Sequence, residues 1–442
     1  MVSIFDKYKS PGIHPSGNKI SCKKRIEKAS IPKQVILPLS QHIGAPAKPI
    51  VKPGDKVKTC QKIAEAGSFV SAPIHATISG QVTKIIQSVS AVTSKIGNAV
   101  VIESDEKDIW VKLKIEKNPM ILSNDVLLKK IQDAGIVGLG GATFPTHVKL
   151  KPPPDKKIDT IIVNGCECEP YITSDHRLML EHTNEIIKGL DIMMKIIGCN
   201  NAFIAIENNK KDAIEKFQEA FKKINIKNRK VFVKPLETQY PMGAEKTLLK
   251  RILGREVPIG GLPMDVGVVV QNVSTLHAIY EAVYNGKPLI ERVVTVSGEV
   301  NEPKNLLARF GSSSESLINQ CGGTKPGANM IIFGGPMMGI SQVSYETPIQ
   351  KGTNSILIKK DDKQHESNCI RCGSCIETCP MGLMPLMYVA HVKKRMYSEL
   401  KEYYIENCVE CGSCAYGCPA KIPIVQYIKT GKAELQKMRA KK

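Results

Sequence analysis

The chain of 442 residues is too long for one ordinary hydrophobic core and predicts three or four domains. Its hydrophobic content of 42% argues against wholesale disorder, and no uncharged apolar run approaches the roughly 18–20 residues that span a membrane. The net charge of +20 is concentrated in the first 60 and last 22 residues, which fits either solvated termini or contact with anionic lipid or an acidic protein; aromatic residues, at 5%, are too few to favour nucleic-acid binding.

The N-terminal part of the chain predicts a small β domain. Met1 to Gly17 has no continuous apolar core of the kind that a secretory signal needs, so a cytosolic protein is expected. Residues 35–105 alternate short apolar runs with turn signals, and their pattern resembles the barrel-sandwich hybrid of lipoyl and biotinyl domains. Those domains carry a lysine on a central hairpin, whereas residues 63–83 contain none. We therefore expect a structural or docking role for this unit.

The middle of the chain alternates helix and strand patterns, which predicts an α/β domain with a mostly parallel sheet. The predicted helices are Asn124–Ala134, Asn184–Ile197, Asp212–Ile224, Ala244–Leu253 and Thr275–Tyr284, and the predicted strands are Thr160–Asn164, Ala202–Ile206, Lys230–Val233 and Val266–Val270.

The last third of the chain predicts two smaller units. Residues 291–350 return to short strands and glycine turns, as in a β-grasp domain. A charged loop, Lys359–Glu366, then leads into a cysteine-rich region, and a basic helix follows Ile424. We divide the chain into domains at 1–117, 118–290, 291–358 and 359–442.

Eight of the 14 cysteines form two runs with one spacing, C-x₂-C-x₂-C-x₃-C-P. This is the bacterial-ferredoxin pattern, in which three closely spaced thiolates bind one [4Fe–4S] cluster and the fourth ligand comes from the other run. The alternative is a pair of zinc sites, although a third cysteine at this spacing followed by Cys-Pro is unusual for zinc. The predicted ligand sets are Cys369, Cys372, Cys375 and Cys418 for one cluster, and Cys408, Cys411, Cys414 and Cys379 for the other.

A glycine-rich loop runs from Gly138 to Lys149. Bare backbone amides in such a loop can surround a phosphate, with Lys149 adding charge, but a glycine-rich run is more often an ordinary turn. The run is neither the dinucleotide G-x-G-x-x-G nor a Walker loop.

Four segments in order resemble the FMN-carrying, NADH-oxidising subunit of respiratory complex I. They are the glycine loop, Asn164-Gly165-Cys166-Glu167-Cys168-Glu169-Pro170, Tyr240 to Thr247, and Asn272-Val273-Ser274-Thr275-Leu276. The resemblance implies a Rossmann-like domain that binds FMN through Gly138, Gly140, Gly141, Asn164, Glu167, Asn272 and Thr275. It implies that Phe144, Lys149, Glu169 and Glu245 face the nicotinamide nucleotide, and it adds Gly243 to the cofactor-binding residues.

Two positions depart from that family. Cys166 stands where the family has an Asp that helps to hold the flavin, and Ala244 replaces one of two paired glutamates. Cys166 and Cys168 form a Cys-x-Cys pair that could bind a metal, but packing is the favoured interpretation without further ligands nearby.

A flavin domain of this kind followed by a two-cluster module resembles the RnfC family of the Rnf-type ferredoxin:NAD⁺ oxidoreductases, and the resemblance covers nearly the whole chain. The resemblance implies a β-grasp domain of the SLBB kind, two [4Fe–4S] clusters, FMN, NAD(H) as substrate and no acid or base side chain in catalysis. It also implies a peripheral protein on the cytoplasmic face of the cell membrane, with partners that include a ferredoxin-like iron–sulfur protein of the same complex and ferredoxin as electron donor or acceptor. Two alternatives stay open: a soluble NADH-dependent reductase of the diaphorase or cobalamin-reductase type, and a non-catalytic electron-transfer adaptor.

Overall fold

A computed structural model describes residues 11–91, 96–224, 229–361 and 365–440. The first ten residues of the basic N-terminal segment and residues 362–364 of the predicted charged loop lie outside the described residues. Across the described ranges, no helix combines the length and the apolar composition that a membrane span requires.

The strands, in chain order, are β1 Ile26–Lys28, β2 Gln34–Pro38, β3 Lys48–Pro49, β4 Lys56–Val57, β5 Lys62–Glu65, β6 Ile74–His75, β7 Gly80–Val89, β8 Ile96–Ser104, β9 Thr160–Gly165, β10 Asn201–Glu207, β11 Lys230–Leu236, β12 Val268–Asn272, β13 Glu291–Gly298, β14 Lys304–Arg309, β15 Met330–Phe333, β16 Ile340–Gln342 and β17 Ser355–Lys359. The helices are α1 Asn124–Asp133, α2 Thr146–Lys149, α3 Ser174–Glu181, α4 Thr183–Ile197, α5 Lys211–Lys223, α6 Glu245–Leu253, α7 Val273–Tyr284, α8 Ser314–Gln320, α9 Ser374–Glu377, α10 Pro385–Lys393, α11 Ser413–Tyr416 and α12 Ile424–Ala440.

The N-terminal β unit is built from two small sheets. One has the order β2-β8-β7-β4 and the other β3-β5-β6, and all their pairings are antiparallel. Inward-facing aliphatic residues such as Val35, Leu37, Val100 and Ile102 are fully buried. The alternating pattern that predicts this unit therefore encloses a core between two sheets.

The central domain has a four-stranded parallel sheet in the order β11-β10-β9-β12. Strand β9 is paired on one side with β10 and on the other with β12, so the strand order reverses at β9. In open parallel sheets, ligands bind outside the carboxyl ends of the strands at such a reversal. The predicted parallel sheet is confirmed, and it places the ends of β9 and β12 at the ligand-binding edge.

The β-grasp domain contains a six-stranded sheet in the order β1-β14-β13-β17-β15-β16. Strand β1 comes from the N-terminal segment and pairs in parallel with β14, with Ile26 opposite Asn305. The N-terminal segment thus adds an edge strand to the β-grasp sheet before it enters the β unit.

The cysteine module packs its helices around a separate small core. Tyr388 of α10 and Ile428 and Leu435 of α12 are almost fully buried in it, together with Leu400 and Ile405. The predicted basic helix after Ile424 is observed as α12. Its buried apolar residues complete this core.

Besides the one-turn α2 within the predicted glycine loop, one helix of the α/β domain, α3, is absent from the sequence prediction. The polar residues of its first turn, Ser174, Asp175 and His176, are all buried, which conceals the usual alternation of an apolar and a polar face. The other predicted helices and strands of this domain overlap observed ones.

Candidate functional site

The glycine loop lies against the amino-terminal end of α7. The Leu139 backbone N–H donates to Thr275 Oγ1 at 2.9 Å, and a Cβ on Gly140 would lie 3.2 Å from Asn272 Cβ. Asn272 caps α7, since its side-chain oxygen accepts from the Ser274 backbone N–H at 2.8 Å. Two predicted segments of the site are therefore in direct contact.

The tip of the same loop is open. Gly141 has φ of +121°, and no atom lies within 4 Å of where its Cβ would be. Gly140 and Gly141 are exposed, whereas the Thr143 hydroxyl is buried and has no hydrogen-bond partner in the described part of the chain. Exposed glycine amides beside a helix N-terminus and a spare hydroxyl fit a phosphate-bearing group such as FMN.

The end of β9 is tied to the segment before α6. Asn164 Nδ2 donates to the Gly243 carbonyl at 2.8 Å, and Asn164 Oδ1 accepts from the Cys166 backbone N–H at 3.0 Å. A Cβ on Gly243 would lie 2.6 Å from the Cys166 carbonyl oxygen, so a larger residue does not fit there. Asn164 and Gly243 are thus neighbours at the carboxyl end of the sheet.

Two buried carboxylates lie below this edge. Glu167 accepts from the Asp175 backbone N–H at 2.7 Å and from Ser174 Oγ at 3.1 Å, which caps α3. Asp175 accepts from Asn272 Nδ2 at 2.7 Å. Burial and the nearby charge of Glu167 raise the pKa of Asp175 to about 6. Asp175 therefore holds Asn272 in place, a role that the sequence prediction misses.

A buried arginine supports the glycine loop from the other side. Arg292 donates to the Leu139 carbonyl at 3.0 Å and to the Lys351 carbonyl at 2.6 Å. Burial lowers the pKa of Arg292 to about 10, and the carboxylates of Asp175 and Glu167 oppose that shift. This arginine, 153 residues from Leu139, has no local sequence signal.

Lys149 and Glu245, both predicted to face the nicotinamide nucleotide, form an ion pair of 2.7 Å. Lys149 Nζ also donates to the Val270 carbonyl on β12 at 3.0 Å. Phe144 stands at the base of the glycine loop, where its carbonyl accepts from the Gly138 N–H at 2.9 Å. Lys149 and Glu245 therefore lie together beside β12, and Phe144 is part of the glycine loop itself.

Glu169 lies apart from that pair and contacts the β-grasp domain. Its carboxylate accepts from the backbone N–H groups of Met337 at 3.1 Å and Met338 at 2.9 Å. A Cβ on Gly335 would lie 2.1 Å from Glu169 Oε2, so this approach depends on glycine. Burial raises the pKa of Glu169.

The loop that carries Glu167 and Glu169 is held by a lysine from the N-terminal segment. Lys19 Nζ donates to the carbonyls of Glu167 at 2.7 Å, Glu169 at 2.8 Å and Ile172 at 2.6 Å. Burial lowers the pKa of Lys19. The sequence prediction misses this residue too, because its partners are backbone atoms about 150 residues away.

One cavity of the cysteine module is lined by cysteines of both runs. Cys379 of the first run shares it with Cys408, Cys411 and Cys414 of the second. Burial raises the pKa of Cys408 to about 11, and the neighbouring thiols of Cys411 and Cys379 contribute to that rise. The four thiols around one apolar cavity fit a multinuclear cluster, whose positive irons stabilise thiolates.

The other four cysteines also include members of both runs. Burial raises the pKa of Cys375, and the thiols of Cys418 and Cys369 add to the shift. Cys369 and Cys372 are exposed. The shared cavity brings Cys379 to the second run, and the assignment of the other four cysteines to one ligand set stays a prediction.

A single-ion site is not formed by the described residues, among which no three His, Cys, Asp or Glu side chains gather closely enough to hold one metal ion. Cys166 packs with Ile162 and Leu236 in an apolar cluster, and burial raises its pKa well above the ordinary value. The neutral thiol does not supply the charge of the Asp that it replaces.

Families of known proteins match the chain in four segments. Residues 8–107 match the RnfC barrel sandwich hybrid domain, 131–281 the Nuo51 FMN-binding domain, 293–341 the SLBB domain and 368–422 the 4Fe-4S dicluster domain.

Two relatives that match most of the chain have related names. The C subunit of the proton-translocating ferredoxin:NAD(+) oxidoreductase complex of Clostridium ljungdahlii is 50% identical over 399 residues, which cover 89% of this chain and 86% of that protein. The Na(+)-translocating counterpart of Acetobacterium woodii is 42% identical, with 88% of each chain covered.

A similar fold occurs in NAD+-reducing [NiFe]-hydrogenase in the air-oxidized state, with a TM-score of 0.50 and 16% identity over 74% of this chain and 69% of that chain.

Proposed function

Because the chain belongs to the RnfC family, the C subunits of the ion-translocating ferredoxin:NAD(+) oxidoreductase complexes, we propose that it exchanges electrons between NAD(H) and two [4Fe–4S] clusters by way of FMN. The observation that carries the proposal is the contact between the two cofactor regions. The Tyr240 hydroxyl, at the edge of the α/β domain, lies 2.6 Å from the carbonyl oxygen of Cys411 in the cysteine-lined cavity.

FMN, when bound, accepts or donates a hydride at NAD(H) and passes electrons singly to iron–sulfur clusters. The residues of this chain bind and orient. The open glycine loop and the α7 terminus would receive the phosphate of FMN, and Asn164, Glu167, Asn272 and Thr275 are the further residues assigned to hold it. Gly140 and Gly141 leave the backbone accessible on that loop, and Gly138 closes its base through the bond from its N–H to the Phe144 carbonyl.

The nicotinamide nucleotide is assigned to the outer side of the loop. Phe144 offers an aromatic face, and Lys149 offers a positive charge that is already oriented by Glu245 and by the Val270 carbonyl. Gly243 completes the assigned set. Glu169 belongs to it by family resemblance, but its carboxylate accepts from the Met337 and Met338 N–H groups, so we assign it a role in holding its loop. No side chain is assigned a proton transfer, since the chemistry is that of the cofactors.

The clusters are assigned to the two cysteine sets. Cys379, Cys408, Cys411 and Cys414 hold one, and Cys369, Cys372, Cys375 and Cys418 hold the other. Support comes from the shared cavity of the first set and from the contribution of the Cys418 and Cys369 thiols to the raised pKa of Cys375.

In this proposal the chain acts within a membrane-bound complex. The complex couples electron transfer between ferredoxin and NAD⁺ to ion translocation. The partners in this proposal are the other proteins of the complex, among them a ferredoxin-like iron–sulfur protein, and ferredoxin itself. The chain is assigned to the cytoplasmic face of the membrane as a peripheral component. The names of the relatives, which belong to complexes, and the basic ends of the chain support this assignment.

Cofactor analysis of anaerobically purified protein tests the proposal. We expect FMN together with about eight iron and about eight sulfide atoms per chain. Protein that contains clusters but binds no added FMN would instead be a non-catalytic adaptor. Fractionation of cells that carry the complex tests the location: recovery of the chain with membranes is expected, and exclusively soluble protein would favour a diaphorase.

A further inference from the structure

A buried tyrosine of the α/β domain reaches into the cysteine module. Tyr240 is 2% exposed, and its hydroxyl lies 2.6 Å from the Cys411 carbonyl oxygen and 3.3 Å from Glu169 Oε1. A phenol has one proton to donate, so the shorter distance assigns that proton to Cys411. The hydroxyl thus fixes the backbone of a residue that lines the cysteine cavity.

The N-terminal segment fixes the backbone of Tyr240. Ile13 and Tyr240 exchange two backbone hydrogen bonds of 2.9 Å. Their side chains pack with Cys411 in one apolar cluster, against which Cys168 and Met337 also lie. Because backbone and side chain are both fixed, Tyr240 is a rigid support for the second cysteine run.

The next residue of that run makes a second contact, with the β-grasp domain. Gly412 has φ of +82°, and a Cβ there would lie 2.9 Å from the Met337 carbonyl oxygen. The Met337 N–H is in turn held by Glu169. Gly373, the equivalent residue of the first run, has φ of +83°, yet nothing lies within 4 Å of its Cβ position.

The two cysteine sets consequently have different surroundings. Cys411 and Cys414 are 7% exposed and Cys379 is equally buried, whereas Cys369 and Cys372 are exposed, as is Ile370 between them at 68%. Cys408 and Cys375 are half-buried, one in each set, and Cys418 is buried, so the difference lies in Cys369 and Cys372, through which only the first run opens to solvent.

We propose that Tyr240 is the positioning residue that locks the site of Cys379, Cys408, Cys411 and Cys414 against the flavin domain, which makes it the inner of the two cluster sites. The site of Cys369, Cys372, Cys375 and Cys418 is then the outer one, open to a redox partner. This inference rests on the proposed function, because it concerns the route between the FMN and cluster regions.

Tyr240→Phe tests the inference in full-length protein loaded with its cofactors, since it removes the hydroxyl and keeps the ring. We expect unchanged FMN, iron and sulfide contents, and unchanged bleaching of the flavin by NADH. Hydrogen exchange of the backbone in 408–412 should become about fivefold faster, as for the loss of one net hydrogen bond. Bleaching of the clusters by NADH should become slower. Tyr404→Phe, at an exposed tyrosine of the same module, is the control.

A glycine pair provides a second test that does not depend on Tyr240. Gly412→Ala and Gly373→Ala impose the same positive-φ strain, but only the former meets a neighbouring backbone atom. We expect Gly412→Ala to slow cluster bleaching relative to Gly373→Ala.

The inference is overturned if Tyr240→Phe leaves both hydrogen exchange and cluster bleaching at the wild-type values, or if the two glycine variants slow bleaching equally. If Tyr240→Phe loses its clusters, the comparison of cluster bleaching in Gly412→Ala and Gly373→Ala decides whether the inference holds. Failure of the proposed function gives a different result, because the wild-type protein would then show no bleaching by NADH at all.

Discussion

Cys379 of the first cysteine run lines the same cavity as Cys411 of the second. The two residues are 32 positions apart, yet the cavity requires both runs. The cysteine module is therefore one folding unit. Whether each run supplies the fourth cysteine ligand of the other run's cluster can be tested directly.

Serine variants should fall into matched pairs. Cys379→Ser should abolish the same cluster EPR signal as Cys408→Ser, and Cys418→Ser the same signal as Cys369→Ser, because each pair belongs to one ligand set. Each variant should retain about half of the iron. EPR spectra of the dithionite-reduced proteins make the comparison. If Cys379→Ser instead matches Cys369→Ser, the assigned ligand sets are wrong.

Lys149→Met should raise the KM for NADH about tenfold, which corresponds to the loss of one charge-assisted hydrogen bond. The lysine is oriented by its 2.7 Å contact with Glu245, so the charge is placed before the nucleotide binds. Steady-state NADH oxidation with ferricyanide measures the change, and Lys151→Met, at an exposed lysine nearby, is the control. A KM equal to that of the wild type would remove Lys149 from the nucleotide site.

Lys19→Met should lower the free energy of unfolding by about 3 kcal/mol, because it leaves three partly buried carbonyl oxygens without their donor. Loosening of the Glu167–Ile172 loop should also increase the loss of FMN on dilution. Urea unfolding followed by circular dichroism gives the first quantity, and flavin fluorescence gives the second. Lys23→Met, at an exposed position, should change neither. Equal stability of the two variants would contradict the role of Lys19.

Lys351 makes stability depend on pH. It is buried where three domains meet, and its Nζ donates to the carbonyls of Pro73 at 3.0 Å and Gly135 at 2.6 Å. Burial lowers its pKa from 10.5 to about 7. Between those values the unfolded chain holds a proton that the folded chain has lost, so the free energy of unfolding rises with pH from about 7 to 10.5.

In the wild type, the titration of Lys351 should raise the free energy of unfolding by about 1.4 kcal/mol per pH unit between the two pKa values of Lys351. The Lys351→Met variant should lack this rise. The histidines that feel the Lys351 charge titrate lower, since burial brings the pKa of His42 to about 4 and that of His75 to about 3. Unfolding curves between about pH 6.5 and 10 test this, with exposed Lys360→Met as the control. An unchanged slope in Lys351→Met would assign the pH dependence to other groups.

The sequence predicts the elements of the α/β domain because their apolar periodicity is strong. The predicted helix Asn184–Ile197 is observed as Thr183–Ile197, and the predicted strand Thr160–Asn164 as Thr160–Gly165. The predicted strand Val266–Val270 begins two residues later in the structure, at Val268, since Pro263–Val266 forms a short 3₁₀ turn. Local pattern fixes the type of an element better than its ends.

The supporting residues of the site leave no such pattern. Lys19, Tyr240 and Arg292 all donate to backbone carbonyls at least 148 positions away, and any residue can provide a carbonyl. The order of the strands in the sheet likewise depends on contacts between distant segments. The cysteine runs, in contrast, are readable because cluster ligation imposes a short, fixed spacing on one residue type.

The most direct test of the central claim is the addition of NADH to the anaerobic, cofactor-loaded protein, followed by absorption and EPR spectra. The account predicts loss of the flavin absorption together with the appearance of reduced-cluster EPR signals. Flavin and clusters that both stay oxidised in the presence of excess NADH would contradict it.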